Sequence, residues 1–311
     1  MKISFIGSGD VSCTTAFATG LKLGSALTDI VLIDIREDWA KGNAIDLKQA
    51  FILNGNDVNI IGTTDYKYVE GSDVIVITAG KADKGGQSNR EALLADNKAI
   101  IGSVAEQLKK YIPTDDKQPL VICVTNPLDL ILNHLIKVGG FNKKKTIGSG
   151  NRLDTARFKD FISRETGVPA TKIQAFALAQ HGAKIVYAIS KTLVDGKPLS
   201  SLVSAEKIEE LKAKATAGSQ EIIGLLQIKS TTWGPGVSIY NLIDAYLNDK
   251  KSQVCLSAWC EGEYGVQGYT LGVPAILGKD GVEKIVDIDL SAEEKQEYEA
   301  SYKFVLSLDT I

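Results

Sequence analysis

A chain of 311 residues is long for one domain and comfortable for two, and 44% hydrophobic with 23% charged residues suits a soluble protein with a sizeable core. A net charge of −3 gives no electrostatic reason to expect nucleic acid or an anionic membrane as a partner, and no apolar run approaches the roughly 20 residues that cross a bilayer. Strand-like sequence begins at Lys2, which leaves no room for a signal peptide. The four cysteines, Cys13, Cys123, Cys255 and Cys260, are scattered, with no CxxC pair and no histidine at zinc spacing. Reduced thiols in a cytoplasm, and no metal, are therefore expected.

In the first half, short apolar runs alternate with helical patterns, which predicts βαβ units around a parallel sheet. The predicted strands are Ile3–Gly7, Ile30–Ile35, Asp73–Thr78, Leu120–Thr125 and Thr146–Gly148, rich in Val and Ile as strands covered on both faces are. A helix is expected over Glu91–Tyr111, where Leu94, Ile101, Val104 and Leu108 keep a spacing near 3.6 residues. After Gly150 the pattern changes. Lys184–Ser190 with Leu193–Pro198, and Tyr269–Leu277 with Glu283–Ile288, read as antiparallel hairpins with Asp195-Gly196 and Asp280-Gly281 as turn pairs. Ser291 and Glu294 form a capping box at the start of the last helix. The expected fold class is α/β: an N-terminal Rossmann domain with a doubly wound parallel sheet over residues 1–148, and a C-terminal α+β substrate domain with antiparallel hairpins over 149–311.

The segment Gly7-Ser8-Gly9-Asp10-Val11-Ser12 follows a strand and opens a helix. Gly7 suits a tight turn, Gly9 lets backbone approach a pyrophosphate, and the small Ser12 permits close helix–strand packing, although Gly or Ala is commoner there. The free N–H groups of the helix start, around Asp10 and Val11, would face the phosphates. Asp34 ends the next strand at the spacing of a carboxylate that binds both ribose hydroxyls, which favours NAD over NADP despite Arg36 nearby.

Two histidines are available. His134 lies in the mostly apolar helical run Leu130–Val138 and reads as structural. His181, in Gln180-His181-Gly182, lies in a turn between apolar runs, where a reactive group would reach a cleft. The helix after Gly150 puts Asp154 and Arg157 three residues apart, hence on one face.

These segments, with Thr78-Ala79-Gly80, a polar loop closing at Arg90, Thr125-Asn126-Pro127, Leu153-Asp154-Thr155-Ala156-Arg157 and Lys229-Ser230-Thr231-Thr232, resemble the L-lactate/malate dehydrogenase family over almost the whole chain, in the family's order. The resemblance implies an NAD-dependent enzyme that interconverts a small 2-hydroxy acid and its 2-oxo acid. His181 would be the proton donor, oriented by Asp154. Arg157 would clamp the substrate carboxylate, and Arg90 would polarise the carbonyl when its loop closes. Asn126 would line the site near the nicotinamide, and Thr232 would wall the substrate side chain. Ala79 and Gly80 join Gly7, Gly9, Asp10, Val11 and Asp34 as implied cofactor contacts. Homodimers or homotetramers are implied as well.

The chain departs from the family pattern in several places. Ala183 and Lys184 follow His181-Gly182 where a polar residue is usual, and the loop from Gly80 to Arg90 is slightly longer and lacks its usual proline. Aligned from its start, that loop puts Asp83 at the position that selects the substrate; aligned from its end, it puts Lys84 there. With no arginine at either, lactate or a larger monocarboxylic acid is expected ahead of malate. Lys159 and Gln174 stand where sugar-bisphosphate-activated enzymes carry Arg and His, which argues against that activation. Two rival readings stand beside this one. Tyr187 and Lys191 have the spacing of the short-chain dehydrogenase pair but sit in a strand-like stretch, and a non-catalytic NAD(H)-binding regulator would need the acid–clamp set to be idle.

Overall fold

The computed structural model of the chain describes residues 1–81, 90–227 and 230–309. Its N-terminal half runs β1 (Lys2–Ile6), α1 (Asp10–Leu23), β2 (Asp29–Ile33), α2 (Glu37–Leu53), β3 (Asn59–Thr63), β4 (Val74–Ile77), α3 (Arg90–Leu108), β5 (Leu120–Cys123), α4 (Leu128–Lys137) and β6 (Thr146–Gly148). The strands lie in the order β3-β2-β1-β4-β5-β6, and all pair in parallel. Ile75, Val76 and Ile77 are fully buried, as are Val121 and Ile122. Unbroken burial of consecutive residues means both faces of the sheet are covered, which is why these segments read as continuous apolar runs.

The C-terminal half continues with α5 (Gly150–Thr166), β7 (Ile173–Gln174), β8 (Ala177–Ala179), β9 (Ile185–Tyr187), β10 (Leu193–Val194), β11 (Lys197–Pro198), α6 (Ala205–Leu226), α7 (Trp233–Leu247), β12 (Ser252–Glu261), β13 (Gln267–Gly278), β14 (Gly281–Ile285) and α8 (Ala292–Asp309). The large sheet does not stop at β6. It crosses into β12 by the pair Gly148↔Ser257, proceeds to β13 through the register Cys255↔Pro274 and Ser257↔Gly272, and reaches β8 at Gly272↔Ala179. The ends of β6 and β8 are thereby set on either side of the β12–β13 pair. The capping box expected before α8 forms in both directions, Ser291 N to Glu294 Oε2 at 2.9 Å and Glu294 N to Ser291 Oγ at 3.2 Å.

One expected hairpin is corrected. Residues 184–190 do not pair with 193–198: β9 pairs with β8, while β10 pairs with β11 and β7 in a small separate sheet. Asp195 and Gly196 do make the turn, both at positive φ, but it closes only the short β10–β11 hairpin. A 3-10 turn over Ile189–Lys191 breaks the longer strand that the apolar residues suggested. Among the described residues four strands lie outside the predicted set: the short β7 and β8, and the longer β3 and β12. β3 is a half-exposed edge strand, and in β12 the run Val254–Ala258 is buried throughout, so neither shows period-two alternation. Among the described residues no helix is long and apolar enough to cross a membrane.

Candidate active site

A cleft of about 1490 Å³ opens at the C-terminal ends of β1 and β4 and runs to the start of α5. This is the switch point of the strand order, where open parallel sheets place their ligands. Its volume exceeds the roughly 300–1,000 Å³ typical of small-molecule sites, room for a long ligand and a short one together.

The first end is made of backbone. Gly7 has φ +97°, and a Cβ there would stand 2.7 Å from Thr78 Oγ1, so both conformation and space demand glycine. A Cβ on Gly9 would meet nothing within 4 Å, which leaves the N-terminus of α1 open to the cleft. Ser12 does more than stay small: its hydroxyl hydrogen-bonds Thr78 Oγ1 at 2.8 Å. Asp34 accepts from Ser8 N at 2.9 Å through one oxygen and from Arg36 N at 3.0 Å through the other, and the Arg36 Nε lies 3.4 Å away. Oδ1 thus accepts twice from Arg36, while Oδ2 accepts once and retains a lone pair for a ligand hydroxyl. Trp39 Nε1 and Asn43 Nδ2 both donate to Ser8 O at 2.8 Å, pinning the loop from α2.

Asn97 of α3, fully buried, holds the next stretch: its Oδ1 accepts from Lys81 N at 2.7 Å, and its Nδ2 donates to Lys81 O and to Asn126 O, the latter at 2.6 Å. Ala79, Gly80 and Asn126 all line the cleft. The roles of Trp39, Asn43 and Asn97 were missed from sequence. Only Asn97 left a signal, an amide three residues after Leu94 on the apolar face of a helix.

The second end is made of buried charge. The His181 Nδ1 lies 2.6 Å from Asp154 Oδ2, and Arg157 Nη1 donates to Asp154 Oδ1 at 3.0 Å. The Asp154 side chain is 7% exposed, so the charge it shares between the two cations is screened little by water. With Nδ1–H given to the carboxylate, the Nε2 of His181 is the ring nitrogen left for the cleft. Burial acts to depress the His181 pKa, but the charge and hydrogen bond of Asp154 outweigh it and hold the pKa above the ordinary 6.5. Among the described residues Arg157 has no further partner, so its other guanidinium N–H groups remain available in the cleft. Close approach of the His181 loop to α5 requires glycine at 150: a Cβ there would stand 2.4 Å from His181 Cγ.

A second buried carboxylate stands behind the histidine. Asp129 of α4 accepts from His181 N at 2.9 Å through Oδ2 and from Ser257 Oγ at 2.6 Å through Oδ1. Its backbone carbonyl accepts from Thr270 Oγ1 at 2.7 Å. Burial pushes its pKa up, against the hydrogen bonds from Ser257 and His181.

The structure brings His181, Asp154, Arg157 and Asn126 to one cleft, together with Gly7, Gly9, Asp10, Val11, Asp34, Ala79 and Gly80. Thr232 is not placed with them. It stands at the N-terminus of α7, and the cleft wall there is Ser230 and Thr231, one or two residues earlier in the chain. Asp83 and Lys84 lie outside the described residues, and so does the Arg90 side chain, whose backbone opens α3. His134 packs from α4 toward Gly102 of α3, consistent with a structural role, and its pKa is lowered by burial. Tyr187 and Lys191 form no pair. The tyrosine ring is buried against Phe158 and its hydroxyl meets Thr216, while the lysine is 3.8 Å from Asp289.

Comparison with known proteins agrees along the whole length. The family model described as lactate/malate dehydrogenase, NAD binding domain, matches residues 1–148, and that of the lactate/malate dehydrogenase alpha/beta C-terminal domain matches residues 151–307. Among curated relatives, the malate dehydrogenase of Rhodopirellula baltica is 40% identical over 310 residues, 99% of this chain and 96% of that protein. The malate dehydrogenase of Staphylococcus carnosus is 38% identical over 297 residues, 95% of this chain and 93% of that one. Among solved structures, the Cryptosporidium parvum lactate dehydrogenase complexed with lactic acid and nicotinamide adenine dinucleotide superposes with a TM-score of 0.93 at 36% identity, covering 99% of this chain and 96% of that one. The malate dehydrogenase of Salinibacter ruber superposes with a TM-score of 0.90 at 33% identity, with the same coverage.

Proposed function

The chain belongs to the lactate/malate dehydrogenase family and is an NAD-dependent dehydrogenase of a small hydroxy acid, and from that premise we propose that it interconverts malate and oxaloacetate. The observation that carries the chemistry is the shared carboxylate of Asp154, with His181 at 2.6 Å and Arg157 at 3.0 Å. Arg157 presents its remaining N–H groups as a planar fork to the C1 carboxylate of the acid. In the reducing direction His181 gives the Nε2 proton to the carbonyl oxygen as it becomes a hydroxyl; in the oxidising direction neutral His181 takes that proton back. Asp154 holds the ring in the tautomer that leaves Nε2 for substrate and stabilises the imidazolium, as a buried carboxylate does in a hydrolase triad. When bound, the cofactor would supply the hydride as NADH in the reducing direction and accept it as NAD in the oxidising one, with Gly9, Asp10 and Val11 placed for its phosphates and Asp34 for its ribose. The open space above Gly9 and the spare lone pair of Asp34 Oδ2 fit that cofactor.

The choice of malate rests on the curated relatives, which are malate dehydrogenases at 37–40% identity, and on Lys84, whose charge suits a second carboxylate. It reverses the order of preference drawn from the loop sequence. Lactate remains the second reading, favoured by the absence of arginine from Lys81 to Asn89 and by the likeness to the solved lactate enzyme. Following NADH oxidation against oxaloacetate, pyruvate, 2-oxoisocaproate and phenylpyruvate separates them. Turnover of oxaloacetate well above the rest supports malate. Preference for pyruvate or a branched acid transfers the assignment to the second reading, and NADH binding without any turnover replaces both with a binding regulator. The division of labour between residues 1–148 and 149–311, a cytoplasmic setting for the four free thiols, and pairing with a second copy belong to the same proposal. For that pairing, α1, α2 and α7 carry exposed Leu21, Ile45, Ile52 and Trp233.

A further inference from the structure

We propose that Asp129 is a positioning residue for proton transfer at His181, a second carboxylate that fixes the histidine from behind while Asp154 orients its ring. The inference rests on the dehydrogenase reading above and adds a residue to it.

Three observations carry it. Asp129 is 2% exposed, and both of its carboxylate oxygens are engaged, one by the backbone N–H of His181 itself and the other by Ser257 Oγ. A buried carboxylate is costly, and one placed only to hold a helix start would cap its own helix. This one instead reaches across to two other segments. Second, its place in the fold joins the two halves of the site. Asp129 lies three residues after Asn126 of the cofactor wall, it grips the turn that carries His181, and it is tied to the middle of β12 by Ser257 and to β13 by Thr270. Asn126, His181 and the central strands therefore share one fixed point.

Third, the charged groups that face His181 among the described residues are Asp154 and Arg157 on α5 and Asp129 on α4. Arg157 disfavours the imidazolium, and the two carboxylates favour it. Asp154 divides its charge between His181 and Arg157. Among the described residues Asp129 has no cationic side chain bonded to it, so its charge is not shared with a second cation.

Replacement by asparagine separates charge from geometry. In Asp129→Asn the remaining Oδ1 can still accept from His181 N. The new Nδ2 can donate to Ser257 Oγ, whose hydroxyl has Asn151 Oδ1 at 3.4 Å as an alternative acceptor. The turn is held and only the charge is gone. Since the chain has two histidines, their ring protons can be followed individually by NMR, with His134→Gln assigning the pair. The titration is read on the free protein, without any substrate, so failure of the substrate assignment cannot be confused with failure here. The expected result is a fall in the His181 pKa by roughly half a unit or more in Asp129→Asn, with NADH affinity by fluorescence unchanged. The pH profile of 2-oxo acid reduction should move to lower pH by the same amount. Ser257→Ala removes one donor from the buried carboxylate and should also move the His181 titration, by less than Asp129→Asn does, which keeps the test standing if Asp129→Asn does not fold. A His181 pKa unmoved in the folded variants would overturn the proposal and leave Asp129 a packing tie between strands.

Discussion

At the cofactor end of the cleft the polar contacts are mostly made by backbone groups and by one partly buried carboxylate. Asp34 accepts from the N–H groups of Ser8 and Arg36, 26 and 2 residues away, and the loop oxygen of Ser8 is capped by two α2 side chains. At the acid end the contacts join elements that are not consecutive: Asp154 of α5 to the His181 ring, Asp129 of α4 to the His181 N–H over 52 residues, and Asp129 to Ser257 of β12 over 128. The first arrangement is complete once the consecutive β1-α1-β2-α2 segment folds. The second exists only once the β6–β12–β13–β8 order is complete. Binding is thus assigned to a local unit and proton chemistry to a global one, and the two ends should fail differently when altered.

The largest contrast is expected from His181→Asn. Reduction of the preferred 2-oxo acid should fall on the order of a thousandfold in kcat, while the NADH dissociation constant stays where it is. A comparable loss of NADH binding would show that the two ends are not independent. Next comes Arg157→Lys, which keeps the charge and loses the fork; kcat/KM should fall by about a hundredfold, chiefly through KM for the acid. A variant still saturating at wild-type substrate concentrations would remove Arg157 from the clamp role.

The pH dependence is the third test. His181 binds its proton more tightly in the folded site than the ordinary 6.5, because Asp154 outweighs burial. Reduction needs the protonated form, so its rate should be level at low pH and fall about tenfold per unit once pH rises past that raised pKa. Oxidation, which needs the neutral ring, should rise over the same interval. A reduction rate already falling below pH 6.5 would contradict the geometry of the Asp154 pair. The smallest effect is expected at the other end: Asp34→Ala should weaken NADH binding by about tenfold and leave kcat at saturating cofactor nearly unchanged.

The same contrast explains what could be read from the chain. The parallel strands, the Gly7–Ser12 turn and Asp34 are local patterns, and so is the three-residue spacing of Asp154 and Arg157 on α5. That His181 would be the partner of that pair came from the order of motifs along a known family, because its turn reaches α5 only through the β6–β12–β13–β8 order. Asp129 was invisible for the same reason: one polar residue in a helical stretch says nothing of what it meets across the fold. Thr231 was missed by one position, because the helix start at Trp233, rather than the motif spacing, decides which side chain faces the cleft.

The crossing of one sheet from β6 into β12 has a consequence for how the protein comes apart. The two halves do not own separate frameworks, since Gly148 and Ser257 are rungs of a single ladder. Melting one half removes the neighbour of the other, so denaturation should proceed as one cooperative step, without an intermediate that keeps NADH bound. A chain cut after residue 148 would carry β6 as a bare edge, its unpaired amides free to recruit a strand from another molecule. Aggregation, rather than a tidy half-protein, is the expected fate of such a fragment.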